Sequence, residues 1–450
     1  MTRLTWETPV LVIADDFTGA NDAGAGLASV GARVHVLFDA VAPMQHSDVQ
    51  VVSTDSRATS SALAASRTAA AVNAQKDVVR SGWLFKKIDS TLRGNPGAEI
   101  EAALLASEKK IALIAPAVPA LGRTTLEGCC YIGGRLLTET EYASDPKTPV
   151  SNASVAARLR EQTALPIGLI PLSLQENLRE QIEAAAAEGK RLIVLDAQTD
   201  GDLQRIMQAA DELAERPMLA GASGLSEALG RRLAGRAQQE DGSTTPDSVT
   251  PAAVSRLSSI ALQAKAGSVK PVLAVIGSMS EIAQRQIARL AQQQPIRLID
   301  VDISQLFAGA SGAWRQAATE ALQQGRHCVI RTCQQAEQRL AVASLCERYG
   351  LSRQQLGEQI CAYLAALIAD VLRDAKPSAL YLSGGDVAMA VARGLGAQGF
   401  EISGQAAGCV PYGRLLQGDD NLLVLTKAGG FGDENTLVDI FRFIEEKASE

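Results

Sequence analysis

The sequence predicts an α/β protein of two domains, each built on a mostly parallel sheet flanked by helices. Three observations lead there. Short apolar, β-branched runs alternate with helical stretches along most of the chain, the sequence form of repeated βαβ units. With 450 residues the chain exceeds one ordinary core, since domains average roughly 150 residues. A polar, turn-rich stretch within 236–253, including Asp241-Gly242-Ser243-Thr244-Thr245-Pro246-Asp247, interrupts the rhythm and reads as a junction. The expected division is residues 1–238, a linker at 239–253, and residues 254–450.

In chain order, strands are expected at 10–14, 34–37, 51–53, 83–87, 111–115, 167–170, 192–195 and 218–220. A helix is expected to start near Ala20. Another spans 95–106 and opens with Asn95-Pro96, a capping residue followed by proline in the first turn. The glycine- and proline-punctuated stretches 116–123 and 128–148 read as irregular, and long irregular segments tend to be functional, so they are expected to cover a pocket. Past the junction, strands are expected at 272–276, 297–301, 328–331, 379–382 and 422–425.

Composition excludes several classes. The 43 basic and 50 acidic residues leave a net charge of −7 without a basic block, so neither nucleic acid nor a membrane surface is an expected partner. The N-terminus shows no charged-then-apolar export signal, and no uninterrupted apolar run reaches the roughly 18 residues that span a bilayer. Seven scattered cysteines and three histidines lack zinc-ligand spacing, so a reduced, cytoplasmic protein is expected. Composition leaves a homo-oligomer open.

Chemistry concentrates where strands give way to helices, the edge at which open α/β sheets bind ligands. The first such motif runs Ala14-Asp15-Asp16-Phe17-Thr18-Gly19-Ala20-Asn21-Asp22. Adjacent carboxylates repel, so Asp15 and Asp16 imply a cation, a hydroxyl-rich ligand or a shifted pKa, although Asp16 or Thr18 also suits a helix cap. A second is Lys86-Lys87-Ile88-Asp89-Ser90-Thr91-Leu92-Arg93. Alternation sends Lys87 and Asp89 to one face and Lys86 to the other. Arg93 can grip a carboxylate bidentately while Asp89 accepts a hydroxyl proton, which suits a small anion bearing hydroxyls. Arg57, after the strand at 51–53, is a further candidate anion ligand.

Three glycine loops follow strands in the second half: Gly277-Ser278-Met279-Ser280, Ser383-Gly384-Gly385-Asp386-Val387 and Lys427-Ala428-Gly429-Gly430-Phe431-Gly432. On one rim of a parallel sheet their N–H groups and helix N-termini would cradle phosphates. Ser278 could donate to a phosphate, and Asp386 could cap its helix or help hold magnesium. There is no G-x-x-x-x-G-K-[ST] loop and no G-x-G-x-x-G after the first strand. An aspartate-nucleophile phosphatase wants a second aspartate two positions on, where Phe17 and Thr18 stand instead.

These strings, Ala-Asp-Asp-Phe-Thr-Gly-Ala at 14–20 and Lys-Lys-Ile-Asp-Ser-Thr-Leu-Arg-Gly-Asn at 86–95 above all, resemble those of the four-carbon acid sugar kinases, in the same order and over nearly the whole chain. The resemblance implies transfer of phosphate from ATP to the terminal hydroxyl of a four-carbon aldonic acid. The N-terminal domain would hold the acid and the C-terminal domain ATP. Carried over by motif, Asp15, Arg57, Lys86, Lys87, Ile88, Asp89 and Ser90 would contact the acid, beside Asp16 and Arg93. Ser278, Gly384, Gly385, Asp386, Val387, Gly429 and Gly430 would contact nucleotide. Members of the family use D-threonate, D-erythronate or 3-oxo-tetronate, and Asn21-Asp22-Ala23-Gly24 looks closer to the threonate and erythronate branch. The expected chemistry is in-line transfer from Mg·ATP, with Asp89 as first choice of base, Asp15 as second, and no residue assigned to the metal. Two other classes are weighed against it: the phosphatase, and a sugar-acid sensor without catalysis.

Overall fold

A computed structural model describes residues 6, 8–39, 47–144, 150–240, 271–307, 312–334, 338, 341–407, 410–418 and 422–448. The strands of the first half are β1 Val10–Ala14, β2 Val34–Leu37, β3 Val49–Ser53, β4 Trp83–Lys87, β5 Ala112–Ala115, β6 Arg123–Leu126, β7 Cys129–Ile132, β8 Arg135–Leu136, β9 Ile167–Ile170, β10 Leu192–Leu195 and β11 Met218–Gly221. Those of the second half are β12 Val272–Ile276, β13 Ile296–Asp300, β14 His327–Arg331, β15 Ala379–Ser383, β16 Gly399–Ala406, β17 Val410–Leu416 and β18 Leu423–Lys427. Every strand expected from the sequence is present with ends within two residues.

β2, β3, β1, β4, β11, β5, β10 and β9 lie side by side in that order, all parallel. In the second half β13, β14, β12, β15 and β18 are likewise parallel. Helices cover both faces, so strands such as β1, β12 and β15 are buried at every position and read as unbroken apolar runs.

The two mostly parallel sheets expected from the sequence are joined edge to edge. The hairpin of β16 and β17 bridges them, with β16 pairing antiparallel to β2 and β17 antiparallel to β18, so that a single fifteen-stranded sheet runs through the molecule. This hairpin was not expected from sequence because its burial alternates and glycine and Pro411 interrupt it. The stretches expected to be irregular, together with the residues between them, form a three-stranded antiparallel sheet, β6–β7–β8, built from the polar run Arg-Thr-Thr-Leu and its neighbours.

The first helix covers Phe17–Ala28, and Asp16 caps it by accepting from the Gly19 N–H at 2.6 Å. It packs on β1, β2, β3 and β16, within a hydrophobic core shared by both halves. The helix Pro96–Ala106 has proline in its first turn as expected, but Asn95 does not cap it. Asn95 instead donates to the Ser56 and Thr59 carbonyls at 3.2 and 3.0 Å, tying the loop after β3 to the loop after β4.

The helix Ser223–Glu240 ends inside the stretch expected to be linker, and 241–253 lies outside the described residues, as does 145–148 of the stretch expected to be irregular. Among the described residues one helix, Arg353–Asp374, is long and apolar enough to cross a membrane, but it buries Leu364, Ile368 and Val371 against the helix Gly385–Gly394 and the rest of the core. Cys129, Cys130, Cys328 and Cys346 are free thiols.

Candidate active site

β3, β1 and β4 are neighbours in register, Ala14 lying level with Ser53 and Lys87, so the three loops that follow them emerge together. Arg57 joins the first two. Its Nε and Nη2 reach the Asp15 carboxylate at 2.7 and 2.9 Å, and its Nη1 reaches Asp16 at 2.6 Å. The two adjacent acids therefore part company. Burial would raise Asp15, but the Arg57 charge and bidentate hydrogen bonds hold it below the usual carboxylate range. Burial pushes Asp16 up to about 6, against the pull of Arg57 and with the help of the Asp15 charge. The charges of Asp15 and Asp16 in turn keep Arg57 well above its ordinary value despite its own burial.

Lys86 and Lys87 point to opposite faces of β4, as alternation requires. Lys87 Nζ lies 3.6 Å from Asp22 and close to Gly19, where an added Cβ would sit 3.5 Å from Lys87 Nζ and 2.7 Å from Asp16 Oδ1. Lys86 is fully buried, and its ammonium meets Glu99 at 3.1 Å and the Lys87 and Ile13 carbonyls at 2.9 and 3.3 Å. That pairing answers the cost of burying a charge and leaves Lys86 as support beneath the site rather than a ligand in it. The Ile88 side chain belongs to the core, so only its backbone faces the loop, with its carbonyl accepting from Lys87 Nζ at 3.2 Å.

Asp89 is held from several sides. Arg93 Nε and Nη2 reach it at 2.8 and 3.1 Å, and the Thr91 hydroxyl and N–H also donate to it. Against its burial, these bonds and the Arg57 charge place its pKa far below the usual range. A carboxylate so stabilised takes a hydroxyl proton poorly, which weighs against Asp89 as the base, and the bonds from Arg57 weigh similarly against Asp15. Arg93, expected to grip a ligand carboxylate, engages Asp89 instead. Ser90 accepts from Arg123 Nη1, and Arg123 Nη2 donates to the Tyr142 hydroxyl at 3.2 Å. Sequence reasoning missed Arg123 and Tyr142; both lie in the stretch expected to cover a pocket.

The three glycine loops also meet. Gly277 N–H donates to the Ser383 carbonyl at 3.0 Å and Gly384 N–H to the Lys427 carbonyl at 2.9 Å. Ser280 Oγ bridges the loops by donating to the Gly429 carbonyl at 2.8 Å, and Ser278 Oγ lies 2.9 Å from Ser280 Oγ. A Cβ on Gly429 would run into Ser278 Oγ, and one on Gly277 into the Val387 side chain. Gly384 has φ 111°, a conformation that favours glycine and lets the chain turn into the helix Gly385–Gly394. Two expectations change here. Val387 is buried against Gly277, so its side chain packs rather than binds, and Asp386 is exposed and makes no capping bond. Lys427 Nζ reaches the carbonyls of Ala428, Gly429 and Phe431 at 2.8, 3.1 and 3.0 Å, which shapes the third loop around exposed Gly430.

The two loop clusters face each other. Asn21 Nδ2 donates to Thr426 Oγ1 at 2.9 Å, and a Cβ on Gly385 would lie 2.8 Å from Thr18 Oγ1. Beside these contacts is a cavity of about 220 Å³, with Thr18, Asn21, Asp22 and Glu227 on one side and Gly385, Lys427 and Phe431 on the other. The charged residues on its walls are Asp22, Glu227 and Lys427.

Residues 10–229 match the family model described as a sugar-binding N-terminal domain, and residues 273–437 the one described as a nucleotide-binding C-terminal domain. The chain is 40% identical to a D-threonate kinase of Salmonella typhimurium, over 97% of this chain and 98% of that one. It is 31% identical to a D-erythronate kinase of Heliobacterium modesticaldum, over 98% of each. A crystal structure from Salmonella typhimurium LT2, 23% identical with a TM-score of 0.75, shares the fold over 97% of this chain and 99% of that one. With acid and nucleotide halves matched in order and full-length relatives at this identity, the chain belongs to the four-carbon acid sugar kinase family.

Proposed function

We propose that this protein transfers the γ-phosphoryl group of ATP to the 4-hydroxyl of D-threonate, giving 4-phospho-D-threonate and ADP. The observation that carries this reading is the cavity between the two halves, lined by Thr18, Asn21 and Asp22 of the first acidic motif and its helix and by Gly385, Lys427 and Phe431 of the glycine loops. Phosphoryl transfer requires little covalent work from a protein and much positioning and charge neutralisation. The acid would lie over the loops of Asp15, Arg57, Lys87 and Asp89, and the phosphates on the N–H groups around Ser278, Gly385 and Gly429. Asp16, titrating near 6, is the carboxylate best matched to accept the hydroxyl proton near neutrality.

Magnesium needs few protein oxygens when phosphates supply the remainder. Asp22 and Glu227 line the cavity, and Asn21 Oδ1, buried and without a partner among the described residues, lies on the same wall. This donor set fits the ion, which when bound would neutralise charge on the phosphates. The free thiols favour a cytoplasmic setting. A phosphatase reading draws no support from Asp15, both of whose oxygens are engaged by Arg57, and the second aspartate that such an enzyme wants two positions on is replaced by Phe17 or Thr18.

ADP release measured with D- and L-threonate, D- and L-erythronate and the 3-oxo-tetronates, with phosphorus NMR of the product, tests the reading. Highest kcat/KM with D-threonate and a 4-phosphate product are expected. Preference for D-erythronate or a 3-oxo acid would move the substrate assignment, and no turnover of any four-carbon acid would overturn it.

A further inference from the structure

Within the acceptor site every cation but one faces a carboxylate. Arg57 pairs with Asp15 and Asp16, Lys86 with Glu99, Lys87 with Asp22, and Arg93 with Asp89. Arg123 has none among the described residues. Its guanidinium donates to two neutral oxygens, Ser90 Oγ and the Tyr142 hydroxyl, and its remaining N–H groups make no bond to a described residue. The Tyr142 ring carries Arg93 at 5.4 Å and Arg123 at 5.8 Å, so two guanidinium groups share one aromatic ring. Asp89 neutralises the first, and the second retains a full, half-buried positive charge.

The backbone aims this residue. Arg123 opens β6, clamped to Val118 by two backbone bonds of 2.7 and 3.1 Å around the turn Pro119–Leu121. Alternation puts it on the same face as Thr125, which is buried against the Ala197 backbone. Val118, Ala120 and Leu121, from the same turn, line the cavity between the two halves. Arg123 therefore links the turn that borders the cavity to Ser90 of the acceptor loop, and Ser90 and Tyr142 fix the plane of its fork.

We propose that Arg123, oriented by Ser90 and Tyr142, is the carboxylate subsite of the acceptor pocket and the residue that makes the enzyme select an acid over the corresponding neutral polyol. The proposal rests on the kinase reading above. Bidentate pairing with a carboxylate is the geometry a guanidinium favours, and it holds the far end of a four-carbon chain while the terminal hydroxyl faces the glycine loops.

The test compares wild type with Arg123→Met, Arg123→Lys and Tyr142→Phe, using D-threonate and neutral D-threitol as acceptors. Thermal melts check folding, and titration with ATP alone checks the nucleotide site. Arg123→Met is expected to raise KM for D-threonate roughly ten- to a hundredfold, to leave KM for ATP unchanged, and to remove the preference for threonate over threitol. Arg123→Lys, which keeps the charge and loses the fork, should fall between. Wild-type turnover with acid-over-polyol preference intact in Arg123→Met and Arg123→Lys overturns the subsite alone. Failure of wild type to bind or phosphorylate any four-carbon acid overturns the subsite and the kinase reading together.

Discussion

Asp15 and Asp16 are neighbours in sequence and opposites in chemistry because of how Arg57 meets them. Two of its N–H groups go to Asp15 and one to Asp16, whose other oxygen caps a helix. Paired acids whose surroundings drive their proton affinities apart divide the labour of a site between a fixed charge and a titrating group. With Asp16 near 6, its carboxylate form fills as pH rises through that value and empties below it. If it receives the hydroxyl proton, kcat/KM for D-threonate falls on the acid side of about pH 6. Asp16→Asn keeps a cap-competent side chain and should lower kcat by about 10²–10⁴, with the acid limb gone from the residual activity. A pH–rate profile of Asp16→Asn that still bends near 6 would assign that titration elsewhere.

At the scale of the elements, the site depends on how closely two loops approach. Gly385 abuts Thr18, and an alanine there would place its Cβ 2.8 Å from the Thr18 hydroxyl. Overpacking of this kind costs about 1–3 kcal/mol, and where that strain opposes approach of the two loops it would appear as roughly a ten- to hundredfold loss of kcat/KM. Gly385→Ala is expected to show that loss, and adding Thr18→Ala should recover part of it; equal activity in all three proteins would mean that this contact does not position substrates.

The parallel strands and their loops were readable in the sequence because strands covered on both faces leave continuous apolar runs, and chemistry gathers at their C-terminal ends. The inward or outward aim of single side chains was readable only where alternation applied, as for Lys86 against Lys87. Motif matching alone placed Ile88 and Val387 among ligands, whereas packing turns both inward. The β16–β17 hairpin, and the polar β6 strand that carries Arg123, left no continuous apolar run because both are half exposed and carry polar residues, glycine or proline within the strand.

For the whole molecule, the sheet joins what the polar stretch at 236–253 seemed to divide. β16 and β17 reverse strand direction between the two parallel halves. Yet Asn21 still reaches Thr426 and Gly385 still meets Thr18. Sheet twist offers the reason: about 20–25° per strand, over the five steps from β1 to β18, turns the halves by on the order of 100°, enough to bring strand ends that would point apart in a flat sheet toward a common space.

The same connection gives the halves one core, since Phe17, Leu27 and Val34 pack in a single cluster with Phe400, Ile402 and Val424. A chain of beads would melt in steps; a shared core and an unbroken ladder couple the halves. Calorimetry should therefore show one unfolding transition with equal calorimetric and van't Hoff enthalpies, coincident with loss of activity. Residues 1–238 expressed alone would expose the edge of β2, and such an unpaired edge invites self-association, visible as oligomers by light scattering. Two separated transitions, with a monomeric and stable N-terminal fragment, would mean that the β2–β16 pairing holds the halves in place without making them one cooperative unit.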